Sequence, residues 1–239
     1  MSNRRKIAIG LAPALIIAVI LSSLSRTLPA IAAEKPNVIL VMTDDQGYGD
    51  VGAHGNSMIQ TPNLDALYKQ SLRLTKYPVD PTSSPTRSAL LTGRYSSRTG
   101  VWHTIMGRSI MHQDEVTLAK LFADAGYYTC LMSWKTDCNF LPDTKKELFM
   151  GVDWKDRKPD QPFIARITFG GTHRPWRRDP ERPIDIKDVQ LPPYYPDTPF
   201  IRRDWANGLE QMQLVDREVG SILKRLDDEQ LADNTIVFF

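Results

Sequence analysis

The chain has 239 residues, and its 30 Lys and Arg nearly balance 28 Asp and Glu. That length allows one sizeable domain, and the charge balance excludes the strongly basic footprint of a nucleic-acid-binding protein. Two cysteines, Cys130 and Cys138, make no disulfide framework and match no metal-ligand spacing, so they read as structural or free rather than catalytic.

The first 33 residues have the layout of a secretory signal peptide. Arg4, Arg5 and Lys6 precede an apolar run from Ile7 to Leu21, and Ala30-Ile31-Ala32-Ala33 offers a small-residue cleavage site. An uncleaved anchor is the competing reading, but the run is short for a bilayer span. Export to the periplasm or exterior is expected, with no stable membrane span after cleavage and one domain over 34–239.

Asn37 to Thr43 is a continuous apolar run with β-branched residues. It predicts a strand buried on both faces, as in a parallel sheet. Asp44 and Asp45 follow at once, where open α/β sheets bind ligands. Paired carboxylates suit a hard divalent cation; the competing reading is a polar turn closing a strand. Thr61-Pro62 then opens a helix, with threonine at the N-cap and proline at the first helical position. Leu64, Leu67 and Tyr68 form its apolar face.

A Pro-rich approach from Tyr77 to Thr82 delivers Ser83-Ser84-Pro85-Thr86-Arg87. Ser83 or Ser84 can cap a helix there, Pro85 suits its first position, and Gly93 suits its end. A helix N-terminus beside Ser83 favours an anion, and Arg87, one turn on, can aim a guanidinium at the same place. By residues alone, an ordinary capped helix with a surface arginine is the preferred reading.

Thr117 caps a further helix, with Leu118, Leu121, Phe122 and Ala125 predicted on its buried face and Gly126 at its end. Tyr127 to Ser133 reads as a second core strand, followed by Trp134-Lys135-Thr136-Asp137. Residues 139–161 are charged and irregular. Phe163 to Phe169 is a third core strand, leading into Gly170-Gly171-Thr172-His173-Arg174-Pro175. Arg177, Arg178 and Arg182 read as a solvated loop, while Arg174 is close enough to His173 to meet an anionic ligand. After the Pro-rich linker 191–199, Trp205, Leu209, Met212, Val215, Val219, Ile222 and Leu226 mark one buried stripe of a long helix. Asn234 to Phe239 is a fourth core strand.

The order of elements predicts an α/β protein with a mostly parallel sheet flanked by helices. Three strands place polar residues at their exits: Asp44 and Asp45, Lys135, and His173. A parallel sheet gathers such exits along one edge, which the helix mouth at Ser83 can approach.

Ser-x-Pro-x-Arg followed by Ala-Leu-Leu-Thr-Gly-Arg closely resembles the signature of the sulfatase family. The strand ending in Asp-Asp, the Gly-Tyr-Gly-Asp after it and the phrase Thr-Pro-Asn-Leu-Asp are similar to the family too. The linker and long helix resemble the corresponding part of heparan N-sulfatase (sulfamidase) and its bacterial relatives. The resemblance implies an alkaline-phosphatase-like fold and a hydrolase of sulfuric esters or sulfamates, acting on a sulfated small molecule or glycan. It implies that Ser83 is oxidised to formylglycine by a serine-type maturing enzyme. It further implies that Asp44, Asp45 and the modified Ser83 hold Ca2+, that Arg87 activates the modified residue, and that Lys135 and His173 bind the sulfuryl group, with Arg174 beside them. The family's histidine two residues after that lysine is Asp137 here. The Ser-Asp-Asn-Gly turn that completes the family's calcium site would follow Phe239, so 34–239 is expected to be a truncated N-terminal portion of the catalytic domain. Two alternatives accompany this reading: a catalytically impaired remnant, and a phosphatase or phosphonate hydrolase of the same superfamily.

Overall fold

The computed structural model describes residues 34–104, 109–132 and 149–239. Four strands, β1 (Asn37–Thr43), β2 (Tyr128–Met132), β3 (Phe163–Phe169) and β4 (Thr235–Phe238), form one sheet in the order β2-β3-β1-β4. All pairings are parallel, with Val38 opposite Ile164 and Thr43 opposite Phe169. The apolar runs of β1 and β3 form strands because both their faces are covered: Val38, Ile39 and Val41 of β1 are buried, and so is every residue of β3 up to Thr168. The fourth run, expected as a core strand, is instead an edge strand, with Ile236 and Phe238 about half exposed.

Alternation along the strands sends neighbouring residues to different cores. Cys130 joins a cluster with Ile39, Val41, Phe163, Ala165 and Ile167, which also takes Leu64 of helix α1 (Pro62–Gln70). Leu131 joins the other cluster, with Leu91 of helix α2 (Ser83–Thr92) and Ala119 of helix α3 (Leu118–Asp124). The long helix α4 (Pro199–Asp228) covers the first face with Val215, Val219 and Leu226, as its stripe predicts. Full burial of each such side chain contributes about 1.5–3 kcal/mol. Lys35–Phe239 forms one compact unit.

The strand entries are tied by one side chain. Asn37 Oδ1 accepts from the Phe163 N–H at 3.1 Å, and Asn37 Nδ2 donates to Thr235 Oγ1 at 3.4 Å. One amide thus joins β1 to both of its neighbours.

Several local expectations are corrected. Helix α2 begins at Ser83, with Thr82 as N-cap and no side-chain capping bond, so Ser83 lies inside the first turn and Pro85 is the third helical residue. Gly93 does end the helix, in the left-handed region at φ 67°, with its N–H bonded to Ala89 O. Thr61 is the N-cap of α1 without capping through its side chain. Its Oγ1 instead accepts from the Gly52 N–H at 2.8 Å and donates to Asp65 at 2.9 Å. The free N–H of Leu64 is taken at 2.8 Å by Asp216, from α4. Thr117 does cap α3, through the Lys120 N–H at 3.3 Å. The buried residue of α3 is Ala119, whereas Leu121 and Ala125 face solvent, so seven residues were too few to fix the helix phase. Ser133 and the segment from Trp134 to Asp137 lie outside the described residues.

Candidate active site

The sheet brings β1 and β3 side by side, so their exits meet. Asp44 leaves β1 and the turn Gly170–Thr172 leaves β3. Thr172 Oγ1 accepts from the Asp44 N–H at 2.9 Å and donates to the Asp44 carbonyl. One hydroxyl therefore fixes the backbone of Asp44 from both sides. Nothing in the sequence singled out Thr172, since its partner is 128 residues away.

The first turn of α2 reaches this point. Ser83 Oγ donates to Asp44 Oδ1 at 3.0 Å, and Arg87 Nη2 stands 3.3 Å from the same oxygen. The side chains of Asp44 and Arg87 are each only 2% exposed. Two charges so deeply buried persist only when paired and hydrogen-bonded. Arg87 is therefore not a surface arginine on an ordinary capped helix. Its second terminal nitrogen lies 3.1 Å from Met42 Sδ, so the strand also positions the guanidinium.

Asp45 turns the other way. Its backbone is left-handed, at φ 57°, a region aspartate tolerates better than most residues. Its carboxylate is 62% exposed and lies 3.5 Å from His173 Nε2. His173 Nδ1 is 2.6 Å from Arg174 O. A carbonyl only accepts, so Nδ1 carries the proton and Nε2 is left facing Asp45.

Arg174 makes two 2.6 Å bonds to Asp204 on α4 and lies over the Trp176 ring at 3.8 Å. The Asp204 carboxylate holds this guanidinium above its ordinary range and is itself held below the carboxylate range by Arg174. Arg174 is thus near His173 but committed to a carboxylate.

The arm that carries His173 is fastened by polar side chains of α4 that the apolar stripe did not announce. Glu210, Gln211 and Gln213 are essentially buried. Glu210 accepts from the N–H groups of Asp179 at 2.8 Å and Ile184 at 2.9 Å. Gln211 accepts from the Arg177 N–H at 3.0 Å, and Gln213 donates to Arg182 O at 2.8 Å. A Cβ on Gly171 would sit 2.7 Å from Gln211 Nε2 and would push the end of that buried side chain aside, so glycine permits this close approach.

Ser83, Arg87, Asp44, Asp45 and His173 are therefore brought together. Lys135 lies outside the described residues, as does Asp137. Cys130 is fully buried, and burial pushes its thiol up to about 12, which removes any nucleophilic role.

The oxygens of Asp44, Asp45 and Ser83 are hard donors of the kind Ca2+ takes. In number they fall short, since calcium takes about six to eight oxygens and no group of three or more His, Cys, Asp or Glu among the described residues could hold a metal ion. The residues fit the ion in kind and supply part of its shell.

Comparison with known proteins points to one family. A family model described as Sulfatase matches residues 36–140. Over 110 residues the chain is 44% identical to a steryl-sulfatase of Homo sapiens, covering 42% of this chain and 19% of that one. Over 258 aligned positions it is 28% identical to an ulvan-active sulfatase of Formosa agariphila, covering 86% and 43%. The chain thus spans less than half the length of these curated relatives. Among solved structures, a sulfatase from a glycosaminoglycan-metabolism locus of Bacteroides thetaiotaomicron superposes with a TM-score of 0.69 at 20% identity, over 85% of this chain and 60% of the other. A phosphonate monoester hydrolase of Agrobacterium radiobacter gives 0.60 at 17% identity, over 84% and 61%. At such identities the likeness speaks to fold, and the fold is the alkaline-phosphatase-like one of sulfatases. The family model matches residues 36–140, and over that N-terminal portion, where an Asp-Asp strand exit meets the Ser-x-Pro-x-Arg helix in space, the chain is similar to the sulfatase family.

Proposed function

We propose that this chain is the N-terminal part of the catalytic domain of a hydrolase of sulfuric esters or sulfamates, with Ser83 as the residue converted to formylglycine. The observation that carries this reading is the meeting of Ser83 Oγ and Arg87 on one buried carboxylate oxygen of Asp44, at 3.0 and 3.3 Å. A plain serine is a poor nucleophile and would be left as a stable ester. Formylglycine supplies, as its hydrate, two hydroxyls on one carbon, one to attack sulfur and one to release sulfate without attack by water.

The other residues act around that position. Arg87, held rigid by burial, keeps a fixed positive charge beside Ser83 and favours an ionised oxygen there. His173, with Nδ1 committed to a carbonyl, presents Nε2 toward the Asp45 side of the site. When doubly protonated it can give that proton to a leaving oxygen. Lys135 and His173 neutralise charge on the sulfuryl oxygens by family resemblance. Arg174 contributes to substrate binding only by sharing its fork with Asp204. Asp44, Asp45 and Ser83 would hold Ca2+, whose charge stabilises anionic oxygens. With three contributing residues, calcium binding by this chain is expected to be weak. A calorimetric titration showing tight binding would remove that expectation.

The substrate class proposed is sulfated carbohydrate, supported by the sulfamidase-like linker and helix and by relatives described as acting on ulvan or glycosaminoglycans. The layout of residues 1–33 supports export, and a serine-type maturing enzyme would act on Ser83. Among the described residues no helix is long and apolar enough to cross a membrane.

Mass spectrometry of the peptide spanning Ser83, after co-expression with a serine-type maturing enzyme, tests the reading. Formylglycine at position 83 is expected, and unmodified serine alone would refute it. The phosphonate hydrolase with the same fold supports one rival, a phosphate or phosphonate ester hydrolase. Comparing aryl sulfate with aryl phosphate separates the two.

A further inference from the structure

The turn beyond Asp45 holds an aromatic ring that the proposed chemistry does not use. Tyr48 is 79% exposed, yet it is not loose. Its ring stacks on His54, with centroids 4.1 Å apart and planes within 8° of parallel. His54 Nδ1 is 2.7 Å from the Tyr48 carbonyl, so the imidazole is tied to the residue it stacks on. Tyr68 of α1 meets His54 edge-on at 5.5 Å, and Arg73 covers Tyr68 at 4.6 Å. The backbone is held as well. Gly47 N–H donates to Asp50 Oδ2 at 2.8 Å, Asp50 N–H donates to Gly47 O at 3.1 Å, and the Asn56 amide donates to Gly49 O at 2.8 Å. One face of the Tyr48 ring is covered and the other is open.

We infer that Tyr48 is a platform for the C–H face of a pyranose ring, a carbohydrate subsite beside the sulfate-binding residues. The inference rests on the sulfated-carbohydrate reading above. A rigid ring with one open, electron-rich face attracts flat ligands that present C–H groups. Its neighbours in sequence, Asp45, Gln46, Gly47, Gly49 and Asp50, are polar or lack side chains, which suits the hydroxyl edges of a sugar better than an apolar peptide or lipid anchor. Tyr48 lies three positions after Asp45, so their Cα atoms lie within about 11 Å. A disaccharide can span that reach, with its sulfate at the strand exits and its second ring on Tyr48. Preorganisation means that little ordering cost is added on binding.

The test uses the full chain and three probes: a sulfated hexosamine disaccharide, its desulfated counterpart and inorganic sulfate. Saturation-transfer NMR should show contact from an aromatic ring to pyranose C–H protons of both disaccharides. Tyr48→Ala should weaken the sulfated disaccharide by about three- to tenfold and leave inorganic sulfate unchanged. Tyr48→Phe should bind like wild type, since stacking needs no hydroxyl, and His54→Ala should give an intermediate loss. The truncated ring is exposed, so thermal melts should match. If Tyr48→Ala binds the disaccharide as tightly as wild type, or wild type shows no transfer to C–H protons, the platform is overturned. If inorganic sulfate fails to bind while the desulfated disaccharide still contacts Tyr48, the sulfatase reading fails and the platform stands.

Discussion

Asp44 and Asp45 are neighbours in sequence and opposite in circumstance. The first is 2% exposed and bonded to Ser83 and Arg87; the second is 62% exposed and faces His173. The inner half of the site is part of the fold itself, made of a strand end, a helix mouth and a buried ion pair. The outer half is an arm, residues 170–184, fastened to α4 through its backbone N–H groups. Damage to the inner half should therefore register in global stability. Damage to the arm should register in where His173 stands.

The largest effect is expected from Arg87→Met. It removes the bonded cation from a buried carboxylate and should cost about 3–5 kcal/mol in urea denaturation. Adding Asp44→Asn should recover much of that loss. A single-variant cost below about 1 kcal/mol would show that the ion pair does not hold the inner half.

Next comes Glu210→Gln, which replaces one of two acceptor oxygens by an amide donor. One of the N–H groups of Asp179 or Ile184 loses its partner, for about 1–3 kcal/mol. The His173 ring resonances should shift, while those of Met42 and Leu91 stay in place. Equal perturbation of all three would erase the distinction between arm and core.

Gly171→Ala tests the arm at its tightest point. The new Cβ meets Gln211 Nε2 at 2.7 Å, and Gln211 is fully buried, so overpacking of about 1–2 kcal/mol is expected in thermal melts. Pairing it with Gln211→Ser should relieve the strain. If Gly171→Ala costs as much in the Gln211→Ser background as it does in wild type, the close approach is not what glycine serves.

The smallest effect is a pH dependence. Burial pushes the Asp179 carboxyl up, but Arg217 and the N–H groups of Glu181 and Arg182 outweigh it and leave the group below the ordinary carboxylate range. A depressed folded value gives stability that is complete above the unfolded value of about 3.9. That stability is lost as pH falls through the folded value. Acid unfolding of wild type should therefore contain a component below about pH 4 that Asp179→Asn lacks.

The strands were legible because a sheet covered on both faces demands unbroken apolar runs, as at Asn37–Thr43 and Phe163–Phe169. The stripe of α4 was legible because its apolar steps persist over 30 residues. The inner site could be read from Asp44, Ser83 and Arg87, since strand exits and helix mouths are places where chain position alone limits what a side chain can meet. The fastening of the arm could not. Glu210, Gln211 and Gln213 look like the solvated residues between apolar positions, and their partners lie 26 to 34 residues away. The left-handed turn at Asp45 was hidden as well, since aspartate occupies ordinary backbone regions more often than this one.

Asn37 gives this arrangement its freedom. By clasping three strands at the end remote from the chemistry, it adds a side-chain link to their backbone ladder that no loop supplies. Loops at the far rim can then be lengthened, shortened or recoloured without the strands slipping past one another. A chassis latched at one end is how a single sheet can carry many different mouths.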